Sequence, residues 1–258
     1  MRNRFETKTK FRMMTIVLIV SAAIALIIAG SALRSPDSVA GISADWSSWS
    51  PSAEGSEGLK QIASHVGPSY RGDDGQQLVS VVGTPLQVQG EDARIAIRNA
   101  DGKGSIQIVD GNSALFALCG LGPNCSIPTG KPSVARMMLL RREGLELALY
   151  AFQNDSDLDN VVVMMPPRPG SQKVKSSSGG VVQVGNQGAA MLITRTQVEG
   201  ALDRPLSQTL PAETPTIEGM ATAPEAATVK QMTEPSMFML SIVDGQDGTP
   251  YVVLDPFS

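Results

Sequence analysis

The two cysteines, Cys119 and Cys125, are the residues of this 258-residue chain whose type and spacing suggest chemistry most directly. They enclose Gly-Leu-Gly-Pro-Asn, a turn-forming segment that lets the two sulfurs meet. A metal site needs more ligands than two thiolates, and the lone histidine, His65, is distant in sequence. A redox pair usually has two residues between its cysteines rather than five. The pattern predicts a small structural disulfide loop, with buried free thiols as the alternative.

Three aspartates in the segment NDSDLDN resemble the start of a calcium loop. Asp155, Asp157 and Asp159 stand at its first three ligand positions. The remaining pattern is missing, because Asn160 occupies the position that requires glycine and Pro166 the position that requires glutamate. We therefore expect an ordinary solvated turn and no metal site.

Other catalytic patterns are weak. A Ser/His/Asp triad would need His65, which is expected on the apolar side of a short helix and is more typical of a structural or surface histidine. Gly130-Lys131 resembles a phosphate loop, but Pro132 follows where serine or threonine is required. The sequence therefore predicts no catalytic residue, no cofactor and no nucleotide partner.

Paired carboxylates remain open, because two catalytic acids can be far apart in sequence. Glu143 and the three aspartates of the acidic turn are the first suspects for such a pair. Carbohydrate sites generally present aromatic rings, whereas only 4% of this chain is aromatic. This observation makes a glycan-cleaving enzyme the second hypothesis rather than the first.

A long helix precedes the acidic turn. Ser133 is a capping residue, and the run that follows, SVARMMLLRREGLELALYAF, carries two apolar stripes. Arg142 and Glu146 are spaced to pair, and Arg136 and Glu143 share a polar strip. We interpret this strip as a solvated or structural ion-pair face rather than a site.

Short β-rich segments and three further helices surround this helix. The helices are predicted at 57–66, at 196–202 with Thr196 as cap, and at 226–232. The first strands, up to the cysteine loop, are expected to form an antiparallel meander. The predicted strands are 77–89, 93–99, 105–109, 114–118, 161–165, 190–194, 237–243 and 250–254. The last two flank DGQDGT, a strong hairpin signal. The predicted fold is α+β, with a mainly antiparallel sheet packed on one central helix.

An uncharged run of 21 residues, 13–33, is bounded by Arg12 and Arg34. As a helix it would be about 30 Å long, which matches the hydrocarbon core of a bilayer. The flank 1–12 is basic, so we predict a single-pass anchor with a cytoplasmic amino terminus and an extracytoplasmic remainder. The alternative is a signal peptide cleaved after Ala32, which would release a soluble exported domain.

Beyond the span, residues 34–56 are predicted to be a linker and residues 57–258 an extracytoplasmic domain with a flexible loop at 170–188. Trp46 and Trp49 lie in the linker. They are candidates for the membrane interface, with docking on the domain as the alternative. The net charge of -4 includes the basic tail, so the outer part is more acidic still and nucleic acid is an unfavourable partner.

Three segments carry a resemblance to a known group of proteins. They are RREGLELALYAF, DLDNVVVMMPPRPG and the closing DGQDGTPYVVLDP. The chain resembles single-pass membrane-anchored proteins of actinobacteria across much of its outer domain. The resemblance includes no catalytic motif and no known activity, so it implies a bacterial setting and nothing about mechanism.

Two hypotheses of function follow. The first is a non-enzymatic protein-interaction or scaffold domain of the bacterial cell envelope, with the membrane and another envelope protein as partners. The second is an envelope enzyme that uses carboxylates on cell-wall glycan.

Overall fold

A large mixed sheet and a long helix organise the residues that the computed structural model describes, which are 42–99, 105–167 and 188–257. The predicted tail 1–12, the span 13–33 with its alternative cleavage point, and all of the loop 170–188 except its last residue lie outside these ranges. Among the described residues, no helix combines the length and apolar character that crossing a membrane requires.

Four α-helices are present in the described ranges. They are α1 (Gly55–Val66), α2 (Val134–Asn154), α3 (Arg195–Leu202) and α4 (Ala226–Thr233). The predicted cap of α2 is confirmed, since the Ser133 side chain accepts a hydrogen bond from the Arg136 backbone N–H. The predicted Thr196 cap is wrong, because α3 begins one residue earlier, after the extended Thr194.

The central position of α2 follows from its sequence. Apolar residues occupy most of its circumference, and 16 of its 21 residues are buried. Gly144 lies on the side that meets the sheet, where an added Cβ would stand 2.3 Å from the Met191 Cε atom and 3.0 Å from a Val163 methyl carbon. Glycine at this position therefore allows a close approach between helix and sheet.

Within the described ranges, ten strands form the sheets. They are β1 (Val79–Pro85), β2 (Gln87–Val88), β3 (Glu91–Asp92), β4 (Arg94–Arg98), β5 (Ile106–Val109), β6 (Asn112–Gly120), β7 (Leu158–Met164), β8 (Gly188–Thr194), β9 (Met237–Asp244) and β10 (Pro250–Pro256). Eight of them make one sheet in the order β1-β6-β7-β8-β9-β10-β4-β5, and β2 and β3 pair separately.

The α+β class is confirmed, and the sheet, which was predicted to be mainly antiparallel, is mixed: five of its strand pairings are antiparallel and two are parallel. β6 pairs in parallel with β7, and β4 pairs in parallel with β10. The first parallel pair arises because α2 crosses over the sheet between its two strands. The predicted β4–β5 and β9–β10 hairpins form. The predicted meander is wrong, since β1 pairs with β6 while β4 and β5 lie at the other end of the sheet.

Two hydrophobic cores lie on opposite faces of this sheet. The helices cover the first face, while the second core consists of side chains from strands and from the β1–β4 connection. Successive residues of three central strands alternate between the cores, as in Leu115–Phe116, Val162–Val163 and Leu192–Ile193. Burial on both sides explains the nearly continuous apolar sequences of β7 and β8.

The described part of the predicted linker packs on the domain. Ile42 and Trp46 are buried in the first core, and the Trp46 carbonyl accepts a hydrogen bond from the Leu206 backbone N–H. Residues 42–54 are irregular in structure but contribute to the same core as the helices.

Candidate functional site

A buried ionic network on α2 contains the densest set of charged contacts in the described ranges. The guanidinium of Arg142 donates to Glu225 Oε1 at 2.8 Å, to Glu146 Oε2 at 3.2 Å and to the Pro211 carbonyl at 2.6 Å. It also donates to the Tyr70 hydroxyl at 2.5 Å, and that hydroxyl donates to Glu146 Oε2 at 2.5 Å. The predicted Arg142–Glu146 pair is therefore confirmed as a structural rather than a solvated one.

This network connects parts of the chain that are far apart in sequence. Tyr70 follows α1, whereas Pro211 and Glu225 belong to the long connection between α3 and α4. The neighbouring Arg141 donates to Thr233 Oγ1 at 2.7 Å and to the Lys230 carbonyl at 3.1 Å, which fixes α4 to α2. These two arginines thus hold the segment 203–236, which includes α4, against the central helix.

Burial changes the acidity of the network. It raises the pKa of Tyr70 well above its ordinary value, and the Glu146 carboxylate adds to this effect. Burial also raises the pKa of Glu146, although Arg142 and the Tyr70 hydroxyl oppose the change. The Glu146 side chain keeps 18% of its surface exposed, so it is the point where this network meets solvent.

Glu143 is the unusual member of this helix. It is completely buried, and neither carboxyl oxygen has a hydrogen-bond partner among the described residues. Burial, followed by repulsion from Glu146, raises the pKa of Glu143 well above its ordinary value. Arg136, placed on the same polar strip by the sequence, donates instead to the Thr129 carbonyl at 3.0 Å. Burial without a hydrogen-bond partner therefore favours the protonated, neutral form of Glu143.

The three aspartates of the acidic turn do not join Glu143. They follow α2, and a helix places its last residue, Asn154, about 16 Å beyond Glu143 along the axis. Asp155 Oδ1 accepts from the Asp157 backbone N–H at 2.9 Å, and Asp159 Oδ2 accepts from the Asn112 N–H at 2.9 Å. Within the described ranges, no three metal-ligating side chains come together.

Trp46 and Trp49 belong to an aromatic cluster on the domain. The Trp46 side chain is 6% exposed, its N–H donates to the Ala201 carbonyl at 3.4 Å, and its ring meets Tyr150 edge-on at 5.3 Å. Trp49 stacks on His65 with ring centroids 3.8 Å apart and planes 5° apart. Both tryptophans therefore pack on the domain, which was the alternative to a position at the membrane interface.

The Trp49–His65 stack borders a polar surface groove of about 490 Å³. Burial lowers the pKa of His65, which favours its neutral imidazole. Sequence reasoning missed this groove, because the two rings are 16 positions apart and no spacing rule connects a linker to the end of a helix. The signal available was composition: both tryptophans of the chain are in DWSSWSP.

The predicted disulfide is present. Cys119 lies in β6 and Cys125 ends a short 3₁₀ turn, with 2.05 Å between their sulfurs. Both Asn124 and Cys125 have a positive φ, near 54° and 61°. Leu121, inside the loop, is 57% exposed. The bridge therefore holds an exposed apolar side chain in a tightly turned segment.

An apolar strip extends from this loop across the edge of the sheet. We define the strip as Val82, Ala117 and Cys119, together with Leu121, which lies two residues beyond Cys119 in the disulfide loop. Val82 and Ala117 are register partners, so their side chains share the sheet face opposite to Phe116 and Leu118. Val82 is 56% exposed in the edge strand β1. On this face the second core includes Leu115 of β6, and the strip continues that core outward.

Comparison of the sequence with protein-family models, and searches of curated proteins and solved structures, found no match.

Proposed function

We propose that this protein is a membrane-anchored, extracytoplasmic domain of the bacterial cell envelope that binds a partner protein or scaffolds an assembly without catalysing a reaction. The apolar strip formed by Val82, Ala117, Cys119 and Leu121 is the observation that carries this proposal. Exposed apolar side chains that lie close together on a domain surface are typical of protein-binding sites.

The position of the strip supports a protein partner. It begins where the second core ends, so an apolar side chain of a partner placed there would extend an existing core. Val82 and Leu121 are each more than half exposed, and burying the part that remains exposed stabilises a complex by about 1–2 kcal/mol apiece. The disulfide limits the motion of Leu121, which reduces the entropy lost on binding.

The proposed location agrees with the chemistry of the cysteines. Disulfides persist outside the cytoplasm, and the basic flank 1–12 before the apolar run 13–33 orients the domain outward. An anchored domain meets its partner at the membrane surface, where both are confined to a thin layer. A modest apolar strip then suffices for association, because confinement raises the effective concentration.

The test is site-specific photo-crosslinking of the full chain in membranes of its native host. A photoreactive residue replaces Leu121 in one variant and Val243 in the other. Val243 is the control, because it is an exposed apolar residue in β9, four strands from the edge strand β1 that carries Val82. We expect Leu121 to yield a discrete crosslinked product identified by mass spectrometry. Recovery of this chain alone, with several crosslinkers, would contradict the proposal.

A further inference from the structure

A groove on the outer side of α1 has the size of a small-molecule site. Its volume is about 490 Å³, within the range of 300–1,000 Å³ that is usual for such sites. It is lined by residues of segment 49–52 and of the helix residues 57–65. None of its lining residues belongs to the apolar strip, so the groove is independent of the proposed partner surface.

One side of the groove is a rigid aromatic platform. The rings of Trp49 and His65 are parallel, and Tyr150 supports both from the side at 5.4 Å and 5.7 Å. Tyr150 is itself buried, and its hydroxyl is hydrogen-bonded to Ser47 Oγ at 2.8 Å. Since Trp49 also packs on the first core, the platform is positioned before any ligand arrives.

The groove also presents polar groups. Gln61 Oε1 accepts from the Ser52 N–H at 2.7 Å and from the Ser52 hydroxyl at 3.2 Å. Because the Gln61 amide oxygen accepts both of these hydrogen bonds, the two N–H donors of the Gln61 amide nitrogen point away from Ser52. Lys60 and Glu57 pair at 3.4 Å on the same helix and are largely exposed. Their opposite charges make the groove nearly neutral.

We propose that this groove binds a saccharide of one or two sugar units. A pyranose has an apolar C–H face that stacks on an aromatic platform and hydroxyls that bond to amide, ammonium and carboxylate groups. The groove supplies both kinds of surface, through Trp49 with His65 and through Gln61 with Lys60 and Glu57. A phosphate ligand is disfavoured because Glu57 cancels the charge of Lys60.

The experiment is a titration of the full chain in lipid nanodiscs with N,N′-diacetylchitobiose, followed by tryptophan fluorescence. Trp46 is buried, so a saturable change reports on Trp49. We expect Gln61→Ala, and separately Glu57→Ala with Lys60→Ala, to weaken binding about tenfold, since each removes hydrogen bonds to the sugar. The double variant changes only exposed side chains, so the fold is retained.

A matched control is Lys230→Ala with Glu234→Ala, which removes another exposed pair, on the α4 side of the domain, and should leave the titration unchanged. The absence of a saturable change with the disaccharide would overturn the inference. Displacement of the signal by inorganic phosphate would also overturn it, because it would identify an anion site.

Discussion

Replacement of the buried acid Glu143 should stabilise the protein. Both carboxyl oxygens lack hydrogen-bond partners among the described residues, and an unsatisfied buried polar group costs about 1–3 kcal/mol. Glu143→Leu removes this cost and fills a similar volume between Leu139 and Leu147, which lie one turn away on α2 and are both fully buried. We expect the free energy of unfolding to rise by about 1–3 kcal/mol at pH 7.

The pH dependence has a definite sign. Since the pKa of Glu143 is raised on folding, the folded state holds its proton more tightly than the unfolded state. The contribution of Glu143 to stability is therefore fully present below the unfolded pKa, near 4.5. It is lost as the pH rises through the folded pKa. Each unit of difference between these two pKa values corresponds to about 1.4 kcal/mol. Glu146 acts in the same direction, because its pKa is also raised.

Urea unfolding of the full chain in nanodiscs between pH 4 and pH 9 measures both effects. Glu143→Gln replaces the titrating carboxyl group by an amide of similar size that does not titrate. The difference in free energy of unfolding between this variant and wild type should therefore grow with pH. Glu57→Gln, at an exposed site on α1, is the matched control and should change stability by less than about 0.5 kcal/mol. Destabilisation by Glu143→Gln and Glu143→Leu alike would refute the reasoning, since it would mean that a charged, paired Glu143 stabilises the fold.

Three further changes test other parts of the structure. Arg142→Met leaves Glu225 buried and unpaired and should lower the free energy of unfolding by about 3–5 kcal/mol. The control Arg98→Met, which removes a surface ion pair, should lower it by less than about 1 kcal/mol. Equal losses for the two variants in urea unfolding would contradict a structural role of the network. Replacing Cys119 and Cys125 by serine should lower stability by about 2 kcal/mol and reduce photo-crosslinking from the loop; an unchanged melting temperature would argue against a structural bridge. Gly144→Ala should cost about 1–3 kcal/mol, because its methyl group would meet Met191 and Val163, and a neutral effect would show that the helix can move away from the sheet.

Local features of the fold were predictable from the sequence. The cap at Ser133, the hairpin around DGQDGT and the disulfide loop each depend on residues a few positions apart. The positions of the strands also followed from their apolar patterns. Their partners did not, because alternation defines which residues form a strand and which face they occupy but not which strand lies beside it. The parallel pairing of β4 with β10 joins segments about 150 residues apart.

The buried network shows the same limit more sharply. The spacing of Arg142 and Glu146 predicted their pair, but Tyr70 and Glu225 are 72 and 83 positions away from Arg142. Nothing in the sequence pattern distinguishes Glu143 from a solvated acid, since its burial depends on how α1 and the sheet pack around α2. The aromatic groove was missed for the same reason, since Trp49 and His65 meet through tertiary packing.

The ratio of photo-crosslinking yields from positions 121 and 243, measured in the same native membranes, tests partner binding most directly. Both positions expose an apolar side chain, 57% at Leu121 and 41% at Val243, so non-specific collisions should label them to a similar extent. The account predicts about tenfold more product from position 121, and a loss of that excess when Val82→Asp places a charge in the strip. Equal yields from the two positions, or an excess that Val82→Asp leaves unchanged, would contradict the proposed partner surface.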